Sequence, residues 1–108
     1  MSKYHLGEFE EIVMLTVAIL QDKAYGLAII EEIEGRLDRR VSIGSIQTVL
    51  RRLEEKGYLS SAFGEATKVR GGKRKRYFTL TTFGQNALEE VREQRIGLWN
   101  AIPKLSTK

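Results

Sequence analysis

The chain has 108 residues, enough for one modest core and too few for two large domains. Hydrophobic residues make up 42% and charged residues 30%, which excludes a disordered tail, and the absence of cysteine excludes disulfides and thiolate metal sites. The formal charge is +4; no apolar run reaches the ~18 residues of a membrane span and no signal-peptide pattern opens the chain, so a cytoplasmic protein is expected.

The first periodic stretch runs from about Leu6 to Leu20. Glu8, Glu10 and Glu11 fall in its first turns, where carboxylates favour the positive end of a helix. From Ile12 to Leu20 only Thr16 is polar, so this helix should be buried on nearly every side, part of it under a second subunit. Gln21-Asp22-Lys23 breaks the pattern. A second helix spans about Tyr25 to Leu37, with Leu27, Ile30, Ile33 and Leu37 as its expected inner stripe and Gly35 weakening its last turn. Val41 to Ile43 reads as a short extended stretch able to pair as a strand.

Ser42 is a good N-cap for a third helix, 42–56. Ile43, Ile46, Val49, Leu50 and Leu53 form its apolar stripe, and Ser45, Gln47, Thr48, Arg51 and Arg52 lie opposite. Gly57 suits the left-handed position that ends a helix. Two strands follow, Tyr58 to Phe63 and Lys75 to Leu80, joined by a segment with a Gly71-Gly72 turn. Thr81 or Thr82 caps a fourth helix running through Leu88 and Val91 toward Trp99, stopped by Pro103.

The positive charge is concentrated in the hairpin. Lys68, Arg70, Lys73, Arg74, Lys75 and Arg76 fall within residues 66–76 with no acid among them, leaving the rest of the chain slightly acidic. Such a site fits a polyanion. Three helices, a hairpin and another helix is the order of a winged helix-turn-helix, mainly α with a small β-hairpin, in which the third helix enters the major groove of DNA. Ser42, Ser45, Gln47 and Thr48 offer short polar groups for base edges, and Arg51 and Arg52 reach phosphates. The cations of the wing, 64–76, suit the backbone or the minor groove, and Gly71 and Gly72 serve as turn formers or allow close approach. Tyr77 is equally suited to packing and to a phosphate hydrogen bond. Residues 1–80 form the DNA-binding unit and 81–108 a C-terminal helix and tail, in one compact body.

Other functions fit less well. His5 is the single histidine, and no phosphate loop exists, since Gly71-Gly72-Lys73 lacks both its spacing and its hydroxyl. The glutamates sit beside Lys or Arg on helix faces, as i,i+4 partners. An enzyme, a bound metal and a cofactor are therefore not expected. A winged helix used only for protein contact has little need of six unopposed cations, and single-stranded RNA binding relies on exposed aromatics that 66–76 lacks.

Leu6-Gly7-Glu8-Phe9-Glu10, Ala24-Tyr25-Gly26, Val41-Ser42-Ile43-Gly44, Leu53-Glu54-Glu55-Lys56-Gly57, Arg70 to Phe78, and Leu80-Thr81 with Gly84 occur in order across about residues 6 to 90. With these segments the chain resembles the PadR family of bacterial transcriptional regulators. The resemblance implies a repressor that dimerises through the C-terminal helix, with help from the first, and binds a palindromic operator on double-stranded DNA. It also implies that some members release DNA on binding a small-molecule effector. Gln47 departs from the pattern: many relatives carry a tyrosine there, used against the DNA backbone, so Gln47 reads a base or makes a different phosphate contact. Ile96 and Trp99 would line the dimer interface, where Trp99 either packs against the partner or borders an effector space.

Overall fold

The computed structural model describes residues 4–64 and 74–104. Helix α1 (Glu8–Leu20) is the element the others gather on. It touches α2 (Gly26–Leu37), α3 (Ile43–Glu55), strand β2 (Arg76–Leu80) and α4 (Thr82–Ala101), while β1 (Leu59–Phe63) packs on α3 and pairs with β2. The two strands are antiparallel, with Leu59 opposite Leu80 and Phe63 opposite Arg76. Three helices, a hairpin and a long last helix make up the mainly α, winged helix-turn-helix architecture that the element order predicts. Val13, Met14, Val17, Ile29, Ile33, Ile46 and Leu53 are almost completely buried and form the core.

Local chemistry sets each boundary. Gly7 precedes α1 with no side chain to cap it, and Glu10 supplies the cap from inside the helix: its Oε1 accepts from the Gly7 amide at 2.8 Å. Its Oε2 accepts from Lys56 Nζ, also at 2.8 Å, which ties the start of α1 to the end of α3. The short 3-10 turn Gln21–Lys23 follows α1, with Gln21 at φ 54°. Helix α3 starts where expected, with Ser42 Oγ accepting from the Ser45 amide at 3.1 Å. It ends in a Schellman motif: the Tyr58 amide donates to the Leu53 carbonyl and the Gly57 amide to the Glu54 carbonyl, with Gly57 at φ 83°. Thr81 caps α4 through the Gly84 amide and donates its own hydroxyl proton to the Gly57 carbonyl at 2.6 Å. A Cβ on Gly84 would lie 2.1 Å from the Tyr58 carbonyl oxygen, so only glycine lets α4 start against the hairpin base.

Two expectations need correction. Residues Val41 to Ile43 form no strand: the Val41 amide donates to Glu34 Oε2 at 2.9 Å, and Ser42 is extended because it caps α3. In α2 the buried residues are Ile29, Ile30 and Ile33, while Leu27 and Leu37 are exposed. Leu27 lies well round the helix from that arc, and Leu37 comes after the core has ended. Helix α1 leaves Leu15, Ala18 and Ile19 exposed in the single chain, as expected of a helix with part of its apolar surface reserved for a second subunit.

The Glu10 carboxyl has a pKa below its ordinary value of 4.5. Burial pushes it up, but the Gly7 amide, the Lys56 ammonium and the nearby Arg52 charge together outweigh that. A carboxylate whose folded pKa is depressed contributes stability above its unfolded pKa and loses it as pH falls through the folded one. Thermal melts should therefore show wild type losing stability below about pH 4.5, and Glu10→Gln should flatten that acid limb while lowering stability at pH 7 by about 1 kcal/mol. Parallel wild-type and variant curves would remove Glu10 from acid unfolding.

Candidate nucleic-acid interface

Ile46, Val49, Leu50 and Leu53 fix α3 by one face, and Ile43, at its first turn, is half exposed. At about 100° per residue, the arc opposite that buried face has Gly44, Thr48, Arg51 and Glu55 at its centre. Ser45 and Arg52 flank it on one side and Gln47 on the other, and all of these side chains are exposed. The sequence therefore places the outer face of α3 correctly. Ser42 is less free than the others, because its hydroxyl caps α3 and donates to Ser45 Oγ at 3.0 Å. A Cβ on Gly44 would meet nothing within 4 Å, so this position keeps the outer face low near its start.

The base of the hairpin stands beside the Gln47 flank. The Phe78 amide donates to the Ala24 carbonyl at 2.8 Å, which fastens β2 to the segment entering α2. Phe78 is buried, and the half-buried Tyr77 meets Tyr25 edge-on with ring centroids 5.7 Å apart. A Cβ on Gly64 would fall 2.6 Å from the Tyr77 ring, so that ring also closes over the end of β1. The Tyr77 ring thus packs against the body at both Tyr25 and Gly64. Between α3 and the hairpin lies a hollow of about 390 Å3, bordered by Gln47, Arg51 and Glu54 on one side and Lys75, Arg76 and Phe78 on the other. The Gln47 flank of α3 and the hairpin base thus border one shared hollow.

Three of the six clustered cations lie within the described residues, and each already has a neighbour. Arg74 Nε donates to the Gly64 carbonyl at 2.9 Å, and Lys75 Nζ sits 4.2 Å from the centre of the Tyr25 ring. Arg76 donates through Nε to Ser61 Oγ at 2.8 Å and through an Nη to Glu54 Oε1 at 3.2 Å, with its guanidinium over Phe63. Lys68, Arg70 and Lys73, with the Gly71-Gly72 turn, lie outside the described residues. Sequence reasoning missed Glu54 and Tyr25. Nothing local marks either one, since their partners are 22 and 50 residues away along the chain.

Ile96 and Trp99 are far from this face. They lie on the outer half of α4, where every residue from Arg92 onward is exposed and Trp99 is 66% so. With Leu15, Ala18 and Leu88 they border a second hollow, of about 720 Å3, between α1 and α4. Arg95 closes one edge by donating to Glu11 Oε1 at 2.6 Å.

A family model, that of the transcriptional regulator PadR-like family, matches residues 14–90. The chain belongs to the PadR-like family. Solved structures agree with this. A PadR-like transcription factor from Bacteroides fragilis is 27% identical, with a TM-score of 0.72 over 85% of this chain and 84% of its own. A PadR family transcription regulator from Clostridium difficile R20291 is 26% identical, with a TM-score of 0.68 over 85% of this chain and 92% of its own. One from Eggerthella lenta DSM 2243 is also 26% identical, with a TM-score of 0.67 over 86% and 80%. A comparison with curated proteins finds no match. PadR-like proteins are DNA-binding transcriptional regulators, not enzymes, and among the described residues no cluster of metal-ligating side chains occurs.

In this PadR-like chain Glu54 accepts from Arg76 at 3.2 Å and borders the same hollow as Arg51, so its charge offsets the cations there. Glu54→Gln should raise affinity for mixed-sequence duplex DNA several-fold and steepen its salt dependence, read by fluorescence anisotropy. Unchanged affinity would mean that Arg76 stays committed to the hairpin base in the complex.

Proposed function

We propose that this PadR-like protein is a sequence-specific repressor that binds an inverted-repeat operator as a homodimer. The observation that carries the reading is the shared hollow: Gln47 and Arg51 of α3 and Lys75 and Arg76 of the hairpin border one opening, so one duplex can meet both elements. B-DNA's major groove, about 12 Å wide, admits an α-helix. Thr48 and Arg51, at the crest of α3, and Gln47 beside them face base edges; Ser42, Ser45 and Arg52 face the flanking backbone. Arg74, Lys75 and Arg76 meet phosphates near the hairpin base, and Lys68, Arg70 and Lys73 of the wing extend the same charge. Residues 1–80 read DNA and 81–108 join two copies, in the cytoplasm, where an operator is accessible. Occupying the operator represses by excluding the transcription machinery.

The dimer is supported by apolar surface that one chain leaves open. Leu15 and Ile19 on α1, and Ile96 and Trp99 on α4, are all exposed. A monomer rarely leaves so much contiguous apolar surface uncovered. A twofold pairing of α1 and α4 would bury it and set two α3 helices on one side of the dimer, with half-site centres about 34–36 Å apart. Trp99 in this arrangement packs against the partner. A hollow of about 720 Å3 is also the size of a small-molecule site, which favours an apolar effector as a second use of the same space.

Gel shifts at low salt against the DNA upstream of the protein's own gene test the main reading: a discrete complex at an inverted repeat is expected, and no retardation would defeat it. Gln47→Ala should change sequence preference, costing about 1–3 kcal/mol at one operator position and little on random DNA. Light scattering tests the dimer. Trp99→Glu should give a folded monomer with much weaker operator binding, and a variant that stays dimeric would exclude α4 as the seam.

A further inference from the structure

The described base of the hairpin borders the Gln47 flank of α3. On the other flank Ser45 and Ser42 share a small polar hollow, about 270 Å3, with Phe9, Val41, Arg39 and Arg40. Arg39 is half committed: its guanidinium lies over the Phe9 ring, 5.1 Å from the centroid, and an Nη donates to Glu8 Oε1 at 3.2 Å. The Glu8 side chain is 74% exposed, so water and salt weaken that pair, while the Phe9 ring holds the guanidinium plane in place. Arg40 is exposed and forms no ion pair among the described residues. Two adjacent arginines, one oriented and one free, therefore stand beside two serine hydroxyls.

We infer that Arg39 and Arg40 form a second phosphate clamp, gripping the DNA strand on the opposite side of the major groove from the wing. The inference rests on the DNA-binding reading above and extends it. A major groove is bounded by two sugar-phosphate backbones, so a helix lying in it has phosphates on both flanks. Ser45 and Gln47 lie on opposite flanks of the outward arc of α3, and each borders a different cationic hollow. Lys75 and Arg76 border the Gln47 side, and on the Ser45 side Arg39 and Arg40 stand beside the hollow and add to Arg52 of α3 itself. Arginine suits the task, because its planar donors match phosphate oxygens in pairs. These contacts carry no sequence information. They hold α3 in register while its crest reads bases.

Anisotropy titrations of a labelled mixed-sequence duplex across a range of salt concentrations test the clamp. The Arg39→Gln/Arg40→Gln double variant should weaken binding about tenfold at fixed salt and reduce the slope of log K against log salt by about 2. Arg40→Gln alone, at a side chain with no ion pair among the described residues, should reduce it by about 1 and leave the melting temperature unchanged. Arg36→Gln, which removes an arginine paired with Glu32 on α2, should leave the slope intact. An undiminished slope in the double variant, or an equal loss in the Arg36 control, would overturn the clamp while leaving DNA binding in place. Wild-type protein that failed to bind at low salt would overturn the DNA reading itself.

Discussion

The rest of the structure depends on the burial of one face of α3. Ile46, Val49, Leu50 and Leu53 lock that helix against the body, so its rotation about its own axis is fixed. Truncating any one of them to alanine would remove on the order of 2–4 kcal/mol of packing, a large share of what a domain this size has. A fixed rotation is what makes Thr48 and Arg51 a surface with defined directions. Both ends of α3 are fixed as well, by the Ser42 cap and by the Schellman turn at Gly57. That turn feeds directly into β1, so the end of the helix and the start of the hairpin are one rigid corner.

The hairpin is positioned by bonds that owe little to its sequence neighbours. The Phe78 amide reaches the Ala24 carbonyl, Tyr77 packs on Tyr25, and Arg76 spans to Glu54. The first two fasten the strand to the body by backbone and ring contacts that do not depend on charge. The third sets the electrostatics: a cation beside the outer face of α3 is partly offset by an acid of the same helix. The hairpin base is therefore less positive than its sequence, and its field is a balance between fixed opposite charges.

The two ends of the molecule follow opposite logic. Around α3 and the hairpin, polar and cationic groups face water and the apolar ones, Ile43 and Phe63 excepted, are packed away. Around α1 and the outer half of α4, leucine, isoleucine and tryptophan face outward, and an ion pair between Arg95 and Glu11 marks the edge of that surface. Helix α4 is buried only near its start, at Gly84 and Ala87, and then leaves the body. Its first turn is held by the Thr81 cap and by the missing Cβ of Gly84, which together aim the whole helix.

Helix existence, caps and ends were legible in the chain because they are local: Ser42 and Thr81 cap within three residues, Gly57 and Pro103 stop within a turn, and the α3 stripe repeats with the helical period. The family was legible for a related reason, since its segments recur in order along the chain. Long-range pairing was not legible. Nothing near Glu54 names Arg76 as its partner, nothing near Tyr25 names Lys75 or Tyr77, and the loss of Leu27 and Leu37 from the core depends on where α2 meets its neighbours. By itself the sequence determined which residues form helices, which face of α3 is polar and where positive charge accumulates, because periodicity, capping and composition act over a few residues. Only the tertiary structure decided which cations are already paired, that the hairpin base stands on the Gln47 side of α3, and that α1 keeps an uncovered apolar face. Those outcomes depend on distances between residues far apart in the chain, and only the packed fold sets those distances.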